Sequence, residues 1–317
     1  MTEVRVARAK VASDAQSSIP ALVRASVLPE PHSWGKDPYV ASVMELMVST
    51  LSHALNEDLM VARLKRELMA DQTSFLPDTL AGWTTKDAAR IFAVSPDPKN
   101  KDDPTKLADL VRKNFQHLVG TSWRSTVSAL TDAAAEPEAV KEALVWLGSF
   151  PVFADDPLQK KPALFLQRLF MQRYVTSSAV AKAIPFAIDR HIVRLSLRVG
   201  WVVVDPESSL APKLQTRAHM SAKEDFSLRS AVKECLELFA LKSGVLPPEL
   251  NFILWQFGRS YCGRYEPGCL GAQRLLGRGS EYVASDGSHC ILSAGCDAFC
   301  ENKQLSVMDP VHRGGFY

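Results

Sequence analysis

The chain has 317 residues, 46% hydrophobic and 23% charged, which is ordinary for a soluble globular protein of one large or two medium domains. It holds no run of 18 apolar residues, which excludes a helical membrane span, and its first residues lack the apolar core of a secretory signal. The formal net charge of +2 is too small to imply a nucleic-acid partner by itself.

Residues 1–37 read as an exposed N-terminal arm. Pro20, Pro29 and Pro31 interrupt it and leave at most one short helix near Ala21–Ser26. From Pro38 to about Ala70 apolar residues recur at helical spacing, and two helices are expected to meet near residues 56–58. A short capped helix begins at Thr84-Thr85, and a polar, proline-rich loop spans residues 95–104. Helices are expected at about 105–120, 122–134 and 136–147, the last opening on Glu136-Pro137-Glu138. After a turn at residues 147–157, helices follow from Lys161 to about Val175 and near 176–184. Another opens at Asp189. Residues 202–204 read as a buried connector, because no partner strand is in view. Amphipathic helices are expected at Asp225–Leu241 and from Pro247 to Gly258. The expected fold class is all-α. The divisions are the arm, a helical lobe at 38–146, a second lobe at 147–260, a cysteine-rich loop at 261–303 and a tail at 304–317.

Charge is uneven along the chain. Between Pro157 and Gly200 stand Lys160, Lys161, Arg168, Arg173, Lys182, Arg190, Arg194 and Arg198, against one acid, Asp189. A surface of this kind can neutralise phosphates, and it can equally be a solvated helix face. Asp189 stands at the start of a helical pattern, where a carboxylate accepts the unpaired N–H groups of the first turn. It can also be a catalytic carboxylate at the edge of an anion-binding surface.

Five of the six cysteines, Cys262, Cys269, Cys290, Cys296 and Cys300, lie in the last fifth of the chain. Cys235 stands in a helical pattern as a small buried hydrophobe. Four thiolates on loop backbone suit an iron–sulfur cluster or zinc. The six-residue gap between Cys262 and Cys269 is wide for a zinc knuckle and suits the larger cluster.

The segment Asn251-Phe-Ile-Leu-Trp-Gln-Phe-Gly-Arg-Ser-Tyr-Cys262-Gly-Arg-Tyr-Glu-Pro-Gly-Cys269 resembles the end of the endonuclease III group of helix-hairpin-helix DNA glycosylases. Ile188-Asp189-Arg190-His191-Ile192-Val193-Arg194, with Arg198 and Gly200 after it, resembles the same family's pattern Val-Asp-Thr-His-Val/Ile-x-Arg. Arg198-Val-Gly-Trp201 is similar to the plant 5-methylcytosine members. Lys161-Pro-Ala lines up with the Lys-Thr-Ala that closes the family's hairpin, although the hairpin's Gly-Val-Gly is absent. Twenty residues, Leu270 to His289, separate the second and third cysteines where the family has two.

The resemblance implies a two-lobed helical glycosylase fold, a six-helix lobe with a helix-hairpin-helix and iron–sulfur lobe. It implies a base-excision repair enzyme that flips and removes a damaged or modified base from double-stranded DNA. Asp189 matches the catalytic carboxylate. Lys161 matches the amine that adds AP-lyase activity, and a plain solvated lysine pair is the other reading. Arg190, His191, Arg194, Arg198, Lys160 and His53 are the implied DNA-binding residues, His53 or Asn56 filling the hole left by the flipped base. Cys262, Cys269, Cys290 and Cys296 are the implied ligands of a 4Fe–4S cluster, with Cys300 as the alternative fourth ligand and zinc as the alternative metal. The implied protein is a monomer with no membrane partner, in the cytoplasm, nucleoid or nucleus rather than secreted. The competing reading is a catalytically altered or inactive DNA-binding protein of the same fold.

Overall fold

Apolar residues spaced three and four apart make the computed structural model of the protein mostly helical. It describes residues 4–31, 33–51, 57–92, 103–153, 156–216, 218–263, 290–300 and 311–312, with the side chains of 57–59, 294, 299, 300, 311 and 312 outside the description. In chain order, strand β1 (Val4–Val6) leads into α1 (Arg8–Ala25), α2 (Pro38–Leu51) and α3 (Glu57–Ala70). A 3-10 turn at Gln72–Phe75 precedes α4 (Pro77–Ala81), α5 (Thr85–Phe92), α6 (Pro104–Phe115), α7 (Trp123–Thr131) and α8 (Pro137–Gly148). Then come α9 (Lys160–Met171), α10 (Ser178–Ala183), α11 (Arg190–Val199), β2 (Val202–Val204), α12 (Leu210–Thr216) and β3 (His219–Met220). The chain closes with α13 (Ala222–Ser243), α14 (Pro247–Ser260), α15 (Asp297–Cys300) and β4 (Val311–His312). No helix among the described residues is long and apolar enough to cross a membrane.

The chain divides into two units, one of residues 29–184 and one that joins residues 1–28 to 185–317. This differs from the expected lobes at 38–146 and 147–260. The segment 147–184 belongs with the helices before it, and the N-terminal residues belong with the C-terminal ones.

The unit of residues 29–184 is built on α2, whose residues Val43, Met44, Leu46, Met47 and Val48 are all buried. Glu45 is also buried, 1% exposed, and three donors satisfy it. Trp34 Nε1 donates to Oε1 at 2.6 Å, Gln172 Nε2 donates to the same oxygen at 2.5 Å, and Arg168 Nη1 donates to Oε2 at 3.1 Å. A buried carboxylate needs partners of this kind, and here they tie α9 and the 33–35 segment to α2.

The other unit corrects the expectation of an exposed arm. Its α1 runs through Pro20, because Val11, Ala15, Ile19 and Leu22 form one apolar stripe buried in a core shared with α11, α13 and α14. Burial of that stripe outweighs a proline cost of about 3 kcal/mol. Nor is the 202–204 segment a lone connector. Strand β2 pairs antiparallel with β1, with Val6 opposite Val202 and Val4 opposite Val204. The partner strand was hidden in the expected arm. In the same unit β3 pairs in parallel with β4.

Candidate functional site

Helix α11 begins where a carboxylate can cap it. Asp189 has extended backbone, and its Oδ1 accepts the His191 amide at 2.9 Å and the Ile192 amide at 3.0 Å. One oxygen takes both capping bonds. The other, Oδ2, has no hydrogen-bond partner among the described residues, and Asp189 is 8% exposed. The loop before it is held by Asn251 of α14, whose Oδ1 accepts the Ala187 amide at 2.9 Å.

Helix α11 ends in a Schellman turn. Gly200 adopts φ +85°, its amide donates to Leu197 O at 3.2 Å, and the Trp201 amide donates to Ser196 O at 2.9 Å. A Cβ on Gly200 would lie 1.8 Å from Asp297 Oδ2, so the cysteine-bearing segment approaches the helix end where only glycine fits.

The expected basic face of α11 is corrected. Arg190 is exposed, but Arg194 and Arg198 are each 1% exposed. Arg194 Nε donates to Cys262 O at 3.0 Å, and its Nη2 donates to Gly258 O at 2.7 Å. Arg198 Nη1 donates to Gly263 O at 2.7 Å and lies 3.5 Å from Cys262 Sγ. The physical reason is the end of α14. The last carbonyls of a helix have no partner within it, and two guanidinium groups supply donors in a fixed fork. Charged donors of this kind stabilise by about 1.5–3 kcal/mol per bond.

His191, half-buried, lies against this network, its Nδ1 3.0 Å from Arg194 Nη2. A guanidinium only donates, so Nδ1 must accept and the neutral ring carries its proton on Nε2. Burial holds the imidazole well below its usual range, at about 4. The charges of Arg194, Arg190 and Arg259 act in the same direction, and Asp189 opposes them.

Two thiols meet the last turn of α11, and a third lies in the cysteine-bearing segment. The backbone oxygen of Arg198 accepts from Cys296 Sγ at 3.4 Å, while the Arg198 side chain reaches Cys262. Cys290 Sγ accepts the Leu292 amide at 3.4 Å. Lys10 of α1 contacts Gly295 O and pairs with Asp297 at 3.2 Å, and Asp14 accepts from Trp201 Nε1 at 2.7 Å. Cys269 and the Cys300 side chain lie outside the described residues. Among the described residues no group of three or more His, Cys, Asp or Glu side chains is arranged to hold a metal ion.

Lys161 belongs to the other unit, at the start of α9. The turn before it is anchored by aromatic rings. Trp123 stacks on Trp146 at 4.1 Å, Trp146 meets Phe150 at 4.6 Å, and Phe150 meets Phe153 at 5.9 Å. Asp156 fills the helix start, with Oδ2 accepting the Lys160 amide at 3.0 Å and Oδ1 the Leu158 amide at 3.1 Å. Lys161 Nζ donates to Val152 O at 3.2 Å. Burial lowers its pKa to about 8, helped by the charge of Lys160 and opposed by Asp156. Lys160 is half-buried beside it. His53 lies outside the described residues.

Two residues in the second half of α14, Trp255 and Arg259, were not among the candidates from sequence. Arg259 is exposed at the last turn of α14, its guanidinium 5.1 Å from the centre of the Trp255 ring. Their signal was the cation at i+4 from a tryptophan on a helix end. No family model matches the chain, and no curated protein matches it.

Proposed function

We propose that the protein is a DNA N-glycosylase that extrudes a damaged or modified base from a duplex and cleaves its glycosidic bond. The observation that carries this reading is the division of labour within Asp189. Oδ1 is committed to the helix cap, and Oδ2 remains for substrate. Breaking the bond between sugar and base develops positive charge on the sugar, and a fixed carboxylate oxygen stabilises that charge or activates the attacking water or amine. The resemblance at residues 188–200 and 251–269 supports the same assignment, and the mostly helical chain agrees with the all-α class it implies.

Lys161 is the amine assigned to strand cleavage. With its pKa at about 8, roughly a tenth of the amine is unprotonated at pH 7, far more than for an ordinary lysine. Such an amine attacks the sugar C1′ as the base departs with its bonding electrons; the C1′–O4′ bond then opens to give a Schiff base, and loss of a C2′ proton expels the 3′ phosphate. Lys161 and Asp189 belong to different units, and each role rests on its own surroundings.

Cys262, Cys269, Cys290 and Cys296 are assigned to a 4Fe–4S cluster, with Cys300 as the alternative fourth ligand. An all-thiol donor set with N–H groups near sulfur suits a thiolate-bound metal centre, and the six-residue gap between Cys262 and Cys269 favours the cluster over zinc. When bound, the group supplies a cross-link among the cysteines, and no redox step is needed for base removal.

The non-catalytic DNA-binding reading has one observation in its favour. The Asp156 carboxylate occupies the start of α9, where the family's hairpin offers amides to a phosphate. A screen of duplexes carrying uracil, oxidised pyrimidines, 8-oxoguanine, alkylated or methylated bases separates the two. Release of one base class by the wild type, lost in Asp189→Asn, is the expected result. Binding without release of any base selects the alternative.

A further inference from the structure

We propose that the outward side of α14, formed by Phe252, Trp255 and Arg259, joins Arg190 of α11 as a docking platform for a strand of nucleic acid. This rests on the reading that the protein acts on DNA, and it adds a surface which that reading does not contain.

The argument begins with spacing. Residues 252, 255 and 259 stand three and four apart, so they share one face of the helix. The opposite face, with Leu250, Ile253, Leu254 and Phe257, is buried in the core. The outward residues are not: Phe252 and Trp255 are half-buried and Arg259 is exposed. The Phe252 and Trp255 rings lie 6.0 Å apart, and the Arg259 guanidinium stands over Trp255. A half-exposed aromatic pair with a guanidinium stacked on one ring offers planar surfaces to a nucleobase and positive charge to a phosphate.

Position supplies the second line. The last turn of α14 presses on the first turn of α11, since a Cβ on Gly258 would lie 2.9 Å from His191 O. Arg259 therefore comes near the helix start that carries Asp189 and Arg190. Burial is the main cause of the lowered His191 pKa, and the charges of Arg190 and Arg259 lower it further. Two exposed cations, Arg190 and Arg259, both act on His191 in the first turn of α11, and the acid of α14's own first turn, Glu249, sits at the far end of the helix. The cationic end of the stripe is thus the end of α14 that packs on the first turn of α11. Phosphates complement this charge, and bases complement the rings.

The test is anisotropy of labelled duplex and single-stranded oligonucleotides, titrated at several salt concentrations. Trp255→Ala is expected to weaken binding about tenfold, as for loss of one base stack. Trp255→Phe should restore most of it. Arg259→Gln and Arg190→Gln should each weaken binding alike for all sequences and lower the salt slope by about 1. Leu241→Ala, an exposed site on α13, is the control. Thermal melts identify any variant that fails to fold. If Trp255→Ala does fail, the two exposed arginines carry the test. Folded variants with unchanged affinity and salt slope would overturn the platform and leave the glycosylase reading standing. A wild type that binds no nucleic acid overturns both. A wild type that binds through these residues yet releases no base supports the platform and removes the glycosylase reading.

Discussion

The Arg194 guanidinium lies 3.0 Å from the His191 ring, with Nη2 facing Nδ1. This contact fixes the tautomer and makes protonation of the ring unfavourable, because a second N–H would point at a cation. The consequence is a pH dependence. The folded-state pKa of about 4 lies below the ordinary 6.5, so the unfolded chain binds the extra proton first. Stability is therefore full above about pH 6.5 and falls as pH drops toward 4, by up to roughly 3 kcal/mol. In His191→Gln, denaturant titrations should show a flatter profile across that window. An unchanged slope would mean that another group titrates there.

Asp189 separates cap from chemistry by substitution. Asparagine caps a helix about as well as aspartate, so Asp189→Asn should melt near the wild type and lose base release. Asp189→Ala should lose release and about 1 kcal/mol of stability as well. Turnover retained by Asp189→Asn would remove the carboxylate from the mechanism.

For Lys161 the expected outcome is a borohydride-trapped adduct with damaged duplex DNA that disappears in Lys161→Arg. With the amine's pKa at about 8, trapping should rise with pH and reach half its maximum near 8. The unfolded lysine keeps its proton to about 10.5, so this group also makes the fold more stable as pH rises from 8 to 10.5. An adduct of normal yield in Lys161→Arg assigns the chemistry to another amine.

Protein purified without oxygen should be brown and contain iron and acid-labile sulfide in equal amounts. Serine at Cys262, Cys269 or Cys290 should bleach it. The pair Cys296→Ser and Cys300→Ser decides the fourth ligand, because only the true ligand's loss removes iron. Colourless protein with one bound zinc would select the alternative metal.

Gly200→Ala should destabilise the C-terminal unit. The position needs φ +85°, and the new methyl would meet the Asp297 carboxylate. The backbone strain alone costs roughly 1–3 kcal/mol. The displaced carboxylate should also loosen the 293–297 segment, visible as faster amide exchange there.

Periodicity made most helices legible, since burying one face of a helix leaves a repeat in the chain. The α11 and α14 patterns are of this kind, each with its own stop or start residue. Asp189 was legible as a cap for the same local reason. Helix α1 was not, because prolines at 20, 29 and 31 mask a stripe that becomes apparent only against its buried partners.

By itself, then, the sequence determined most of the long helical segments after residue 38, where α11 begins and ends, and that thiols cluster near the end of the chain. The tertiary structure decided what the polar groups do. Arg194 and Arg198 share a repeat with Arg190, and nothing local distinguishes them. They are buried because carbonyls of the last turn of α14 and of the 262–263 segment after it arrive beside them, and a charged donor stays in a core only where acceptors meet it. The same arrival leaves Arg190 and Arg259 at the surface near Asp189. Such a juxtaposition depends on contacts some 65 residues apart in the chain, and these leave no repeat in the sequence.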